Sequence, residues 1–105
     1  MKKAVIDMGT NSTRLAIAEQ MDGQFQMTYT EVAETRLGEG MGDERIIRPV
    51  PLERNVKTVQ QFVAKAKEMN VESIRITATI AASDALNKAE VQDAICNCAG
   101  IPMEI

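Results

Sequence analysis

Two segments with strand patterning, Ala4–Met8 and Thr13–Glu19, are separated only by Gly9-Thr10-Asn11-Ser12. A parallel return would need a crossover of a dozen or more residues, so these two segments must pair antiparallel. The first is a short apolar run; the second alternates, with Leu15 and Ile17 on one face. A third alternating segment, Gln24–Val32 through Phe25, Met27 and Tyr29, follows Asp22-Gly23. That dipeptide favours the positive φ angles of a tight hairpin turn. The chain therefore opens as an antiparallel meander of three strands.

A polar, glycine-rich stretch, Arg36-Leu37-Gly38-Glu39-Gly40-Met41-Gly42, leads to Pro49 and Pro51. Pro51 suits a first helical position and Glu53 the first turn. Leu52, Val56, Val59, Phe62, Val63 and Ala66 then recur at helical spacing, with Lys65 and Lys67 near the end and Asn70 as a left-handed cap. Ser73–Ala78 reads as a strand through Ile74 and Ile76. Asn87 with Glu90 has the spacing of a capping box, and Gly100 of a stop, which predicts a second helix from about Lys88 to Ala99. Ile101–Ile105 has strand character. The order is βββαβαβ. Crossover helices force the last two strands parallel to the first, so the expected mixed five-stranded sheet runs 3-2-1-4-5. The two helices would cover it, the Leu52–Ala66 stripe on one side and the second helix on another.

A chain of 105 residues is one domain. Its net charge of −3, with lysines and arginines scattered, argues against a nucleic-acid partner or an anionic membrane, both of which need concentrated basic residues. Met1-Lys2-Lys3 is followed by too few apolar residues before Asp7 for a signal peptide or a membrane span, so the cytoplasm is the expected location. Cys96 and Cys98 stand without any histidine or second cysteine pair. A zinc site would be short of ligands, and the two are expected as reduced thiols partly filling the core.

Chemistry is concentrated in Asp7-Met8-Gly9-Thr10-Asn11-Ser12-Thr13-Arg14, at the turn between the first two strands. Gly9 would let backbone approach a ligand closely, and successive N–H groups in such a turn can form an anion-binding concavity. Thr10, Asn11, Ser12 and Thr13 add side-chain donors. Asp7 cannot favourably face a phosphate oxygen without an intermediary, so it implies Mg²⁺ or another divalent cation. The competing reading is a tight hairpin whose Asp, Gly and Asn satisfy turn geometry alone. Arg14 is open to two readings, a phosphate contact or a surface strand arginine. Arg36 either reaches a phosphate across a cleft or is a solvated loop arginine. Every carboxylate other than Asp7 is expected on a solvated loop or helix surface, including Glu39, Asp43 and Glu44.

The octet resembles the first phosphate motif of the actin and sugar-kinase superfamily. Its Gly9-Thr10-Asn11-Ser12-x-Arg14 form is similar to the exopolyphosphatase/guanosine-pentaphosphate phosphatase (Ppx/GppA) family in particular. Thr35-Arg36-Leu37-Gly38-Glu39-Gly40 resembles that family's segment after the third strand. Ala78-Thr79-x-Ala81, with Ala85 and Asn87, resembles its segment after the fourth. The resemblance implies an α/β domain of ribonuclease-H-like, actin-like ATPase fold. It implies residues 1–105 as the N-terminal phosphate-binding domain of a longer, homodimeric enzyme that hydrolyses polyphosphate or guanosine pentaphosphate. The family's catalytic glutamate lies in a segment just downstream of the fifth strand, and its second lobe closes over the cleft; both fall outside this chain, which alone is expected to be inactive. The chain departs from the pattern at Ile80, where a small hydroxyl residue is usual, and at Ser83, where an arginine is. Losing that arginine removes a bidentate phosphate ligand.

Two other functions fit the same elements, and a third fits poorly. An ATP-binding module or kinase would place nucleotide on the same loop. A non-catalytic domain would bind phosphate without turnover. A two-metal nuclease needs several carboxylates near the first and fourth strands, and Thr77, Ala78 and Thr79 end the fourth strand without one.

Overall fold

The computed structural model describes residues 1–78 and 85–104. Strands β1 (Lys2–Met8), β2 (Thr13–Met21) and β3 (Gln24–Ala33) form the meander. They are followed by helix α1 (Pro49–Glu68), strand β4 (Ser73–Ala78), helix α2 (Lys88–Ala99) and the short strand β5 (Met103–Glu104). The sheet order is β3-β2-β1-β4-β5, with β1–β2 and β2–β3 antiparallel and β1–β4 and β4–β5 parallel. This is the expected topology. At the β2–β3 turn Asp22 and Gly23 have φ of 52° and 81°, the two positive values that a primed hairpin turn demands. Among the described residues of the expected last strand, Met103 and Glu104 pair, against Ile76 and Thr77; Ile105 lies outside the described residues.

Helix α1 starts at Pro49, ahead of the expected Pro51, because prolines lack the N–H that a first turn leaves unpaired anyway. Its end is a Schellman motif: Asn70 at φ 63° donates to the Lys67 carbonyl, and Val71 donates to that of Ala66. The capping box at α2 does not form. Asn87 makes no side-chain cap; its amide instead pairs with both backbone groups of Ile47, accepting from N–H at 2.9 Å and donating to C=O at 3.0 Å. The side chain thus acts like a strip of backbone, fastening the loop before α1 to the start of α2.

The two helices do not take opposite sides. Ala4, Ile6 and Met8 of β1, Leu15 and Ile17 of β2 and Ile76 of β4 are buried with Val59, Phe62 and Val63 of α1 and with Val91 and Ile95 of α2, in one core. Helices α1 and α2 touch each other over that single face. The intervening positions Lys3, Val5, Asp7, Arg14 and Arg75 are exposed on the other face. Sequence periodicity fixes which residues of a helix point inward, not which side of a sheet the helix covers. Cys98 joins the rim of the core, where burial raises its thiol pKa, whereas Cys96 is exposed and fills nothing. Among the described residues no helix is long and apolar enough to cross a membrane.

Candidate phosphate-binding site

Strand β1 delivers Asp7 to the open face, one residue before the chain leaves the sheet. The register aligns Val32, Arg14, Asp7, Thr77 and Glu104 in one row across all five strands. Directly opposed residues point to the same side of a sheet. Asp7 Oδ1 accepts a hydrogen bond from Thr77 Oγ1 at 3.1 Å. Arg14 flanks Asp7 on the other side and is exposed.

The loop itself is held by its backbone. Gly9 N–H donates to the Ser12 carbonyl at 2.7 Å, closing the turn. A Cβ on Gly9 would lie 2.8 Å from that same oxygen, so close approach rather than positive φ is what demands glycine here. The carbonyls of Asn11 and Thr10 are taken by the segment after β3: Arg36 N–H donates to Asn11 at 3.0 Å, and Gly38 N–H to Thr10 at 3.2 Å. Arg36 adopts φ 48° to make this contact. With both carbonyls turned away, the N–H groups of Thr10, Asn11 and Ser12 find no acceptor among the described residues. Thr10 and Asn11 are exposed and Ser12 half-buried, so these amides and hydroxyls are available to an anion.

Thr13 is not. Its side chain is fully buried, and its hydroxyl is spent on Thr35 and Asn55 at 2.9 Å each. The β-alternation that exposes Arg14 turns Thr13 into the core, which corrects its assignment as a side-chain phosphate donor. Arg36 stands beside the loop through its backbone, but its guanidinium pairs with Glu34 at 3.2 Å and Glu39 at 3.3 Å. These two carboxylates, Glu39 foremost, raise its pKa above the ordinary arginine value. Such exposed pairs contribute little, roughly 0–1 kcal/mol, and do not commit the side chain against a polyanion. Glu39 also pairs with Arg54 of α1 at 2.9 Å, so this exposed loop acid bridges two arginines. Glu104 corrects the expectation that every carboxylate other than Asp7 lies on a loop or helix surface, since it stands on β5 in the same row beyond Thr77. Its carboxylate is turned to Arg75, at 2.9 Å.

Among the described residues no group of His, Cys, Asp and Glu is arranged as a metal cage. One carboxylate with a neighbouring hydroxyl still suits Mg²⁺, which keeps most of its waters and is completed by substrate phosphates. A concavity along α1 is lined by Val50, Glu53, Arg54 and Lys57 and does not include the loop. Among the described residues the loop stands as one open wall. Thr79 and Ala81 of the third resemblance block, and both departures, Ile80 and Ser83, lie outside the described residues. Thr77, Thr35 and Asn55 went unassigned in the sequence. Register exposes Thr77 once β1 and β4 are known to be parallel, but no spacing rule links Thr13, Thr35 and Asn55.

Residues 16–105 match the model of the Ppx/GppA phosphatase family. This chain belongs to that family. A guanosine-5'-triphosphate,3'-diphosphate pyrophosphatase of Pseudoalteromonas atlantica is 28% identical over 76 residues, covering 72% of this chain and 15% of the relative. A crystal structure of the Aquifex aeolicus Ppx/GppA phosphatase superposes with a TM-score of 0.93 at 26% identity, over 99% of this chain and 35% of that one. An exopolyphosphatase structure from Cytophaga hutchinsonii gives a TM-score of 0.93 at 26% identity, over 98% and 33%. The chain thus has the Ppx/GppA fold and spans a minor part of each relative's length. The matched region begins after the loop, at Ala16, so the family assignment rests on the remainder of the domain.

Proposed function

We propose that this chain supplies the phosphate-binding wall of a phosphoanhydride hydrolase acting on the terminal phosphate of inorganic polyphosphate or of guanosine pentaphosphate, within a longer homodimeric enzyme. The observation that carries the reading is the loop, whose carbonyls are tied back to residues 36–38 while its amides stay open beside Asp7. Membership of the Ppx/GppA family supports the same chemistry, as do the pyrophosphatase and exopolyphosphatase named among its relatives.

In this reading the N–H groups of Thr10, Asn11 and Ser12 bind the equatorial oxygens of the terminal phosphoryl group. Their place is set before the substrate arrives, so stabilising the charge of a loose transition state costs no reorganisation. The hydroxyls of Thr10 and Ser12 add donors, and Arg14 adds positive charge on the open face. Asp7, oriented by Thr77, would hold Mg²⁺, which when bound neutralises charge on the phosphate chain. Arg36 reaches the polyanion by exchanging Glu34 and Glu39 for phosphate. The loop is an open wall, and orienting the attacking water and excluding bulk solvent fall to parts of the longer enzyme.

The test is titration calorimetry of this chain with Mg²⁺ and tripolyphosphate, guanosine pentaphosphate or ATP. Tripolyphosphate or the guanosine polyphosphate is expected to bind more tightly than ATP. Asp7→Asn is expected to weaken Mg²⁺-dependent binding at least about tenfold, roughly 1.4 kcal/mol, with an unchanged melting temperature. Metal-independent binding, or tighter binding of ATP, would overturn the assignment.

A further inference from the structure

A closed hydrogen-bond circuit lies directly beneath the loop, on the core side of the sheet. Thr13, Thr35 and Asn55 are each at most 1% exposed. The Thr13 hydroxyl donates to Asn55 Oδ1 at 2.9 Å. A hydroxyl has one proton, so the 2.9 Å contact between Thr13 and Thr35 must be donated by Thr35. The amide of Asn55 then returns a bond to the Thr35 carbonyl at 3.4 Å and gives its second proton to the Pro51 carbonyl at 2.9 Å. Two carbonyls on the Nδ2 side fix the orientation of the amide. Every proton is used.

The circuit joins α1 to both ends of the site. Thr13 is the residue that follows the loop, and Thr35 precedes Arg36, whose N–H holds the Asn11 carbonyl. Asn55 sits on the buried side of α1 with Leu52, Val59 and Phe62, where an apolar residue would fill the same volume without polar atoms to satisfy. Polar groups replace apolar ones just where the core passes under the loop.

We propose that Asn55 is a positioning residue for the phosphate-binding loop. Through Thr13 and Thr35 it fixes, from inside the core, where the Thr10–Ser12 amides and Arg36 stand. The consequence for binding rests on the function proposed above; the consequence for the loop does not.

Amide hydrogen exchange on the ligand-free chain therefore comes first. Replacing the whole circuit with apolar groups of similar shape, Thr13→Val/Thr35→Val/Asn55→Leu, leaves no orphaned partner and can be close to neutral for stability. Protection at Arg36 and Gly38 N–H is expected to fall at least about tenfold relative to Ile6 and Ile76 N–H, because local opening is set by local contacts. Affinity for Mg²⁺-tripolyphosphate is expected to fall about tenfold with it. Thr13→Ser/Thr35→Ser keeps both hydroxyls and removes only methyl groups. It is expected to keep loop protection even where the melting temperature drops. Should the apolar triple variant fail to fold, the serine pair still decides: loss of loop protection there would overturn the proposal. Wild-type protection in a folded triple variant would overturn it as well. A wild-type chain that binds no tripolyphosphate would instead sink the proposed function and leave the exchange result standing.

Discussion

At the end of β1 neighbouring residues are sent in opposite directions, and this division organises the chemistry. Asp7 leaves the sheet on the face away from both helices and meets Thr77, while Met8 enters the core. The same alternation across the loop buries Thr13 and exposes Arg14. The residues that had to be glycine or small were legible in the sequence, since a strand running into Asp-x-Gly followed by hydroxyl residues points to a ligand-facing turn. The division of labour among the hydroxyls follows from the same alternation, since the period that turns Leu15 and Ile17 inward turns Thr13 inward with them and takes it out of the donor set. Gly9 gives a sharp test of the loop. With a Cβ 2.8 Å from the Ser12 carbonyl oxygen, Gly9→Val must open the turn, whose oxygen is backbone and cannot swing aside. The variant is expected to lose about 1–3 kcal/mol of stability and to weaken tripolyphosphate binding, measured by urea unfolding and calorimetry. Unchanged unfolding together with unchanged binding would remove the loop from the site.

The strand and helix order could be read from the sequence because each element carries its own pattern, a short apolar run in β1, period two in β2 and β3 and helical spacing in α1. What periodicity could not supply were the contacts between elements. Asn87 has capping-box spacing with Glu90, yet Ile47 offers its amide two backbone partners at once, and tertiary bonding overrides the local motif. Likewise, among the described residues the pairing of β5 with β4 covers Met103 and Glu104 against Ile76 and Thr77, and Ile101 and Pro102 stay outside the strand. That small pairing is reinforced by a two-point contact, Arg75 Nε and Nη2 donating to the two oxygens of Glu104 at 2.9 and 3.2 Å. The guanidinium holds the Glu104 carboxyl below its ordinary pKa. A lowered folded pKa means that the contribution is present above the unfolded value, about 4.3 for glutamate, and is lost as pH falls through the folded one. Exchange protection of β5 is therefore expected to fall as acid protonates Glu104. Glu104→Gln is expected to show the acid level of protection already at neutral pH. Both groups are exposed, so the effect is confined to the strand and leaves global stability nearly unchanged. Equal β5 protection in wild type and variant at pH 7 would show that the backbone pairing suffices.

As a whole molecule the domain is a sheet covered on one side. Helices α1 and α2 bury one face in a continuous core, which is sufficient for cooperative folding of a domain this size, whereas on the face carrying Asp7 the described residues Lys3, Val5, Arg14 and Arg75 are exposed with it. Catalysis of phosphoryl transfer asks for more than a charged wall. A water must be oriented in line with the scissile bond, and bulk solvent must be kept from the reacting atoms. Among the described residues the other carboxylate in the row of Asp7 is Glu104, which lies beyond Thr77 and is engaged by Arg75. The acids around the loop after β3, Glu34 and Glu39, are engaged by Arg36 and Arg54. In the ligand-free chain each of these carboxylates is turned to an arginine rather than to the loop. The 105-residue chain is therefore expected to fold cooperatively and to bind Mg²⁺-polyphosphate weakly, but to release no phosphate from polyphosphate or guanosine pentaphosphate. The measurement is phosphate release over hours at millimolar substrate, with the full-length Aquifex aeolicus relative assayed in parallel. Metal-dependent turnover by the short chain that disappears with Asp7→Asn would show that the single wall is a complete catalyst, and the separation of binding from water activation would then be wrong. Turnover that survives Asp7→Asn would place the reaction elsewhere on the chain. Binding without turnover would assign to this domain the grip on the terminal phosphate, and to the rest of the enzyme the orientation of water.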